Sequence, residues 1–100
     1  MNHTFLATNK DYFNLGLKSL DLFIISQIEE FQRNDLPCCM TNEQFANQFS
    51  ESATTIKRTI ARLEEQNIIT RTTNFINGNG RNNRQRILSV NNKSEWKIIN

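Results

Sequence analysis

The stretch "TNEQFANQFSESATTIKRTIARLEEQN", residues 41–67, leaves the chain little conformational freedom. Thr41 can cap a helix, and Gln44 stands three residues on, the spacing at which each side chain satisfies the other's backbone donor. Phe45, Ala46 and Phe49 then share the inward face of a short helix. Only Ser50 and Glu51 separate it from Ser52, a second N-cap, after which Ile56, Ile60 and Leu63 recur at four- and three-residue steps. Asn67 can close this second helix, which runs from about residue 53 to 66, because asparagine tolerates the left-handed conformation that ends helices. Two amphipathic helices joined by so short a turn must pack together, and the turn sets the angle between them.

Upstream, "LKSLDLFIISQIEEFQRN" places Leu17, Leu20, Ile24, Ile28 and Phe31 on one helical stripe, with Ser19 as N-cap and "NDLP" as terminator. Leu22 and Ile25 lie off that stripe, so this first helix needs a second cover. The aromatic lead-in (Phe5, Leu6, Tyr12, Phe13), the tail (Trp96, Ile98, Ile99) or another copy of the protein would each serve. "CCM" has room for a strand of two or three residues. Downstream, "IITRTTNFI" and "QRILSVN" are rich in β-branched residues and flank the polar run "INGNGRNNRQR", a pattern that predicts an antiparallel hairpin with a long tip. The expected class is α+β, mainly α: three helices plus a two- or three-stranded antiparallel hairpin. Residues 1–16 form an extension, 17–91 the domain and 92–100 a tail.

One hundred residues suit one domain with a modest core. No apolar run reaches membrane-spanning length and residues 1–10 lack a signal-peptide pattern, so the chain reads as cytoplasmic with no membrane partner. Cys38 and Cys39 are adjacent, His3 is the sole histidine, and no metal-ligand spacing occurs; two reduced thiols and no metal or cofactor are expected. No P-loop, GxSxG or acid–base pair at a motif spacing is present, so an enzyme is not expected.

The element order is helix, minimal strand, helix, tight turn, helix, strand, long loop, strand. It matches a helix-turn-helix followed by a hairpin wing. "TNEQFANQFSESATTIKRTIARLEEQNIITR" resembles the winged helix-turn-helix domains of bacterial DNA-binding proteins, at Phe45-Ala46, Phe49, Ser52, Thr55-Ile56, Arg58, Ile60, Leu63-Glu64 and Ile68-Ile69. The resemblance covers roughly residues 17–90. With the lead-in "DYFNLGLKSLDLF" the chain is most similar to amino-terminal domains of phage and plasmid replication proteins. It departs from the pattern at Ser50, where the family's turn has glycine, at Glu51, where it has a small apolar residue, and at Asn67, where it has glycine.

Charge supports a polyanionic partner. Residues 1–51 hold three basic groups against seven acidic, whereas residues 52–90 hold seven basic groups against two acidic. With Ile56, Ile60 and Leu63 inward, Thr54 and Arg58 point outward, Ala61 and Arg62 lie beside them, and Thr55 and Lys57 flank them. Such a small, polar, basic face suits a DNA major groove, with Ser52 at a helix start that offers N–H groups to phosphate. A solvated helix face would carry similar residues. Arg71 on the first strand and Arg81, Arg84 and Arg86 at the tip and returning strand suit phosphate or minor-groove contact, or plain surface charge. The expected partners are double-stranded DNA and a second copy, with Leu22, Ile25, Phe13 and Trp96 as the dimer or docking face, and a replication protein as a further partner. The competing reading is a protein-interaction subunit or single-strand-binding accessory factor of a replication complex.

Overall fold

A computed structural model describes residues 16–76 and 83–97. Helix α1 spans Ser19–Arg33, α2 Asn42–Phe49 and α3 Ala53–Glu65; strands β1, Ile69–Ile76, and β2, Asn83–Val90, follow, then a single 3-10 turn at Lys93–Glu95. β1 and β2 pair antiparallel, from Ile69 opposite Val90 to Ile76 opposite Asn83. The expected "CCM" strand reduces to one bridge, Cys38 to Leu88, with the Leu88 N–H donating to the Cys38 carbonyl at 3.0 Å. β2 is thereby held between β1 and Cys38, giving the winged-helix-like α+β fold, mainly helical, that the element order predicts.

The caps decide where each helix starts. Thr41 Oγ1 accepts from the Gln44 N–H (3.1 Å) while Gln44 Oε1 accepts from the Thr41 N–H (2.9 Å), the reciprocal pair expected for α2. Ser52 Oγ accepts from the Thr55 N–H at 3.1 Å and starts α3. For α1 the N-cap is Lys18, not Ser19. Asp21 Oδ2 accepts from the Lys18 N–H at 2.7 Å, and this carboxylate three residues on outcompetes a serine hydroxyl as the organiser of the first turn.

All three helices stop by one device. Asp35 (φ 55°), Ser50 (φ 56°) and Asn67 (φ 59°) each adopt the left-handed conformation, and the next N–H reaches back to a carbonyl five residues earlier: Leu36 to Phe31, Glu51 to Ala46, Ile68 to Leu63. Ser50 therefore adopts the left-handed conformation that glycine takes most readily, and the turn closes with its backbone hydrogen bond made.

The core collects Ile24, Ile25 and Ile28 of α1, Phe45 of α2, Ile56, Ile60 and Leu63 of α3, and Ile68, Ile69 and Leu88 of the hairpin. The buried face of α1 is rotated from the expected stripe: Asp21, Leu22, Ile24, Ile25 and Ile28 are buried, whereas Leu20 and Phe31 sit on the rim. Phe49, half-buried, stacks on Phe45 and on the exposed Phe23, with ring centroids 6.2 and 5.8 Å apart. Residues 91–97 fold back over the end of α3. The Asn91 N–H donates to the Ile68 carbonyl, Asn67 Nδ2 to the Glu95 carbonyl, the Lys97 N–H to the Gln66 carbonyl, and Trp96 Nε1 to the Asn91 carbonyl.

Candidate nucleic-acid interface

The outward face of α3 follows from its inward one. Ile56, Ile60 and Leu63 are fully buried and Thr59 nearly so, leaving Thr54, Lys57, Arg58 and Ala61 exposed. Thr59 satisfies its buried hydroxyl by donating to the Thr55 carbonyl at 2.8 Å. Ser52 and Thr55 join at the helix start, where the serine hydroxyl donates to Thr55 Oγ1 at 2.9 Å. Lys57 and Arg58 belong to neither ion pair of the described residues. Thr55 and Arg58 also line a groove of about 300 Å³ between α3 and the start of α1, together with Lys18, Leu20, Asp21, Thr59 and Arg62.

Arg62, Arg71 and Arg86, all expected at the interface, are held by named partners within the protein. Arg62 pairs with Asp21, whose side chain is 1% exposed. That pair joins the outer flank of α3 to the first turn of α1. Arg71 reaches back to Glu64 near the end of α3 at 2.8 Å, with both side chains partly open to solvent. Arg86 donates to Asn42 Oδ1 at 2.7 Å and to the Met40 carbonyl at 2.5 Å, pinning β2 to the start of α2. Burial pushes the Arg86 pKa down from its ordinary value, and the neighbouring Arg71 adds to this, while Cys38 and Glu64 oppose it. An arginine starts so far above neutrality that Arg86 remains charged.

The hairpin register separates its two faces. Paired residues share a face, so Arg71 and Thr73 lie on the side of Leu88, Arg86 and Arg84, the side turned to the core. Thr70, Thr72 and Asn74 lie on the other side with Ser89, Ile87 and Gln85. Arg84 is exposed and borders a groove of about 460 Å³ with Arg86 and the segment from Cys39 to Asn42. Arg81 lies outside the described residues.

The expected docking residues are placed differently. Leu22 (5% exposed) and Ile25 (fully buried) belong to the core of one chain, so neither offers a surface to a second copy. Trp96 is half-buried against the same core, and Phe13 lies outside the described residues. Among the described residues the exposed large apolar side chains are instead Phe23 and Leu36. Sequence reasoning passed over Asp21. Its signal was an acid four residues after Leu17 and three before Ile24, on the inward side of a helix, where an unpartnered carboxylate would be prohibitively costly.

Among the described residues no cluster of histidine, cysteine and acidic side chains could hold a metal ion, and no helix is long and apolar enough to cross a membrane. No family model and no curated protein matches the chain. Among solved structures it is similar to a "possible transcriptional regulator" from Methanosarcina mazei Go1, at 16% identity and a TM-score of 0.58. The match covers 85% of this chain and 65% of that one, so the chain spans just under two-thirds of that protein's length. At this identity the likeness concerns the fold: three helices and an antiparallel wing arranged as in a protein described as a regulator.

Proposed function

We propose that the protein binds double-stranded DNA, with α3 in the major groove and the wing, including Arg71, Arg81 and Arg84, against the backbone or minor groove. The role is transcription regulation or replication in a bacterium or mobile element. The observation that carries this reading is the exposed patch of Thr54, Lys57, Arg58 and Ala61 on the third helix of a winged-helix-like fold. A small, polar surface with two cations outside the described ion pairs is what close approach to base edges requires, and arginine can take guanine in a bidentate contact. Arg62 and Arg86 contribute indirectly, by fixing α3 and the wing to the rest of the domain. Arg71 can exchange Glu64 for a phosphate at little cost, because a solvent-exposed ion pair is worth about 1 kcal/mol or less.

Fluorescence anisotropy on duplex and single-stranded DNA at several salt concentrations tests the proposal. Arg58→Ala should weaken duplex binding by about 1–3 kcal/mol and relax sequence preference. Arg81→Ala with Arg84→Ala should weaken all sequences alike and reduce the salt slope by up to about 2. Duplex binding insensitive to salt, or untouched by Arg58→Ala, would overturn the groove-reading assignment. A second reading, a protein-interaction or single-strand-binding subunit of a replication complex, draws on the exposed Phe23 beside Phe49 and on Leu36. Preference for single strands, with no duplex binding, would favour it.

A further inference from the structure

Leu22 and Ile25 are buried within one chain, so a contact between copies needs another surface. β2 is flanked on both sides, by β1 and by Cys38, whereas β1 has one strand neighbour among the described residues. Hydrogen bonds at the base of the hairpin fix which backbone groups point where. The Asn91 N–H donates to the Ile68 carbonyl, and the Leu88 N–H turns away from β1 to Cys38. By antiparallel alternation, Thr70, Thr72 and Asn74 then exchange bonds with β2, while Arg71 and Thr73 direct their N–H and C=O groups outward. Residues 70–74 are all exposed.

Exposed edge strands are ordinarily blunted by proline, lysine, a bulge or an inward charge. "ITRTTNFI" has no proline, lysine or acidic residue, and its register runs unbroken through eight pairs. Its one charge, Arg71, stands on the core-facing side of the strand, but there it is paired with Glu64 of the same chain rather than left to oppose a neighbouring strand. We propose that β1 is a self-pairing edge, along which two copies of the chain join antiparallel about Thr72 into a four-stranded sheet.

The pattern of the strand selects this partner and this register. Outward groups must meet outward groups, so allowed registers differ by two residues. One sets Arg71 against Arg71, and like charges directly opposite are unfavourable. The register centred on Thr72 sets Arg71 against Thr73, Thr70 against Asn74, Ile69 against Phe75, and Thr72 against its own copy. The next overlaps as many residues, from Thr70 to Ile76, but sets Thr73 against its own copy in a hydrogen-bonded pair, where Cα atoms are about 5.5 Å apart and side chains meet less closely. In the chosen register Thr72 occupies a pair without mutual backbone bonds, where Cα atoms are about 4.5 Å apart and threonines interact favourably. This inference does not rest on DNA binding, and its test contains no DNA.

Sedimentation equilibrium of the full chain from micromolar to millimolar concentration should show a species of twice the 11.7 kDa monomer mass, growing with concentration. Thr72→Lys places two ammonium groups across the twofold axis and should raise the dissociation constant about three- to tenfold. Its circular dichroism and thermal midpoint should match the parent. A second measurement reads register without that variant. In a Cys39→Ser background, Thr72→Cys should oxidise to a cross-linked dimer faster than Thr70→Cys or Asn74→Cys, because only position 72 faces itself. A monomer at every concentration, a Thr72→Lys dimer as tight as the parent's, or cross-linking at 70 or 74 as fast as at 72 would each overturn the proposal.

Discussion

Replacing Ser50 by glycine should make the protein more stable without moving its third helix. Ser50 sits at φ 56°, ψ 47°, between α2 and the cap of α3, where the Glu51 N–H must reach the Ala46 carbonyl. Holding an L-residue in that region costs about 1–2 kcal/mol, because Cβ crowds the following carbonyl oxygen. Glycine avoids this, but loses about 0.4–1 kcal/mol more conformational entropy on folding. The balance favours Ser50→Gly by about 0.5–1 kcal/mol, or about 2–8 °C in thermal midpoint for a domain of this size. Ser50→Ala keeps Cβ and should give no such gain. Asp35→Gly and Asn67→Gly should gain less, because short Asx side chains tolerate the left-handed region better than serine. Thermal unfolding followed by circular dichroism measures all four. A midpoint for Ser50→Gly at or below the parent, or a larger gain at Asn67 than at Ser50, would refute the reasoning. Since glycine adopts the same dihedrals, the proposed duplex binding should be as strong in this variant as in the parent.

Removing either member of the Asp21–Arg62 pair should be costly but unequal. Arg62→Ala leaves a buried carboxylate with the Lys18 N–H but no counter-charge and should cost about 3 kcal/mol, whereas Asp21→Ala leaves a guanidinium that can turn to water and should cost less, with the double variant below the sum of the singles in denaturant titrations. Burial pushes the Cys38 thiol up from its ordinary value, so a thiol reagent at mildly alkaline pH should modify the half-exposed Cys39 in the native protein and reach Cys38 only in denaturant. Burial likewise raises the Glu29 pKa, against the opposing pull of Arg33 and Lys93. A carboxyl raised in the folded state favours folding while protonated and loses that contribution as pH rises through its folded pKa. Glu29→Gln should therefore raise the thermal midpoint at neutral pH and leave it unchanged in acid; an equal effect at both would remove the desolvation argument.

Local rules reached the second and third helices. Thr41, Gln44, Ser52 and Asn67 act through neighbours three to five residues away, and these interactions occur where the spacing implies them. The hairpin was legible for the same reason, from two β-branched runs around a polar turn. The partners of the arginines were not. Arg62 meets Asp21 across 41 residues, and Arg86 meets Asn42 across 44, so nothing adjacent in the chain distinguishes them from the exposed Arg58. The face of α1 was misjudged for a related reason. Apolar spacing identifies a helix, but two neighbouring apolar stripes leave its rotation open until β2 and α3 are in place. The buried Asp21 is the residue that could have fixed it.

The strand of polar contacts that residues 91–97 lay across the end of α3 bears on how the molecule breathes. Helix ends ordinarily fray, and amides there exchange with solvent through small local openings. Here the carbonyls of Gln66, Asn67 and Ile68 are tied to Lys97, Asn91 Nδ2 and the Asn91 N–H, so opening the end of α3 means peeling away Trp96 as well. Amide exchange at Ile68, Asn91 and Lys97 should therefore follow a shared opening larger than simple fraying. At its other end α3 is fixed by the Ser52 cap, and its last turn is also held by the Asp21–Arg62 pair. A helix so restrained has little motion left to lose, and any surface it presents meets its partner with that ordering entropy already spent.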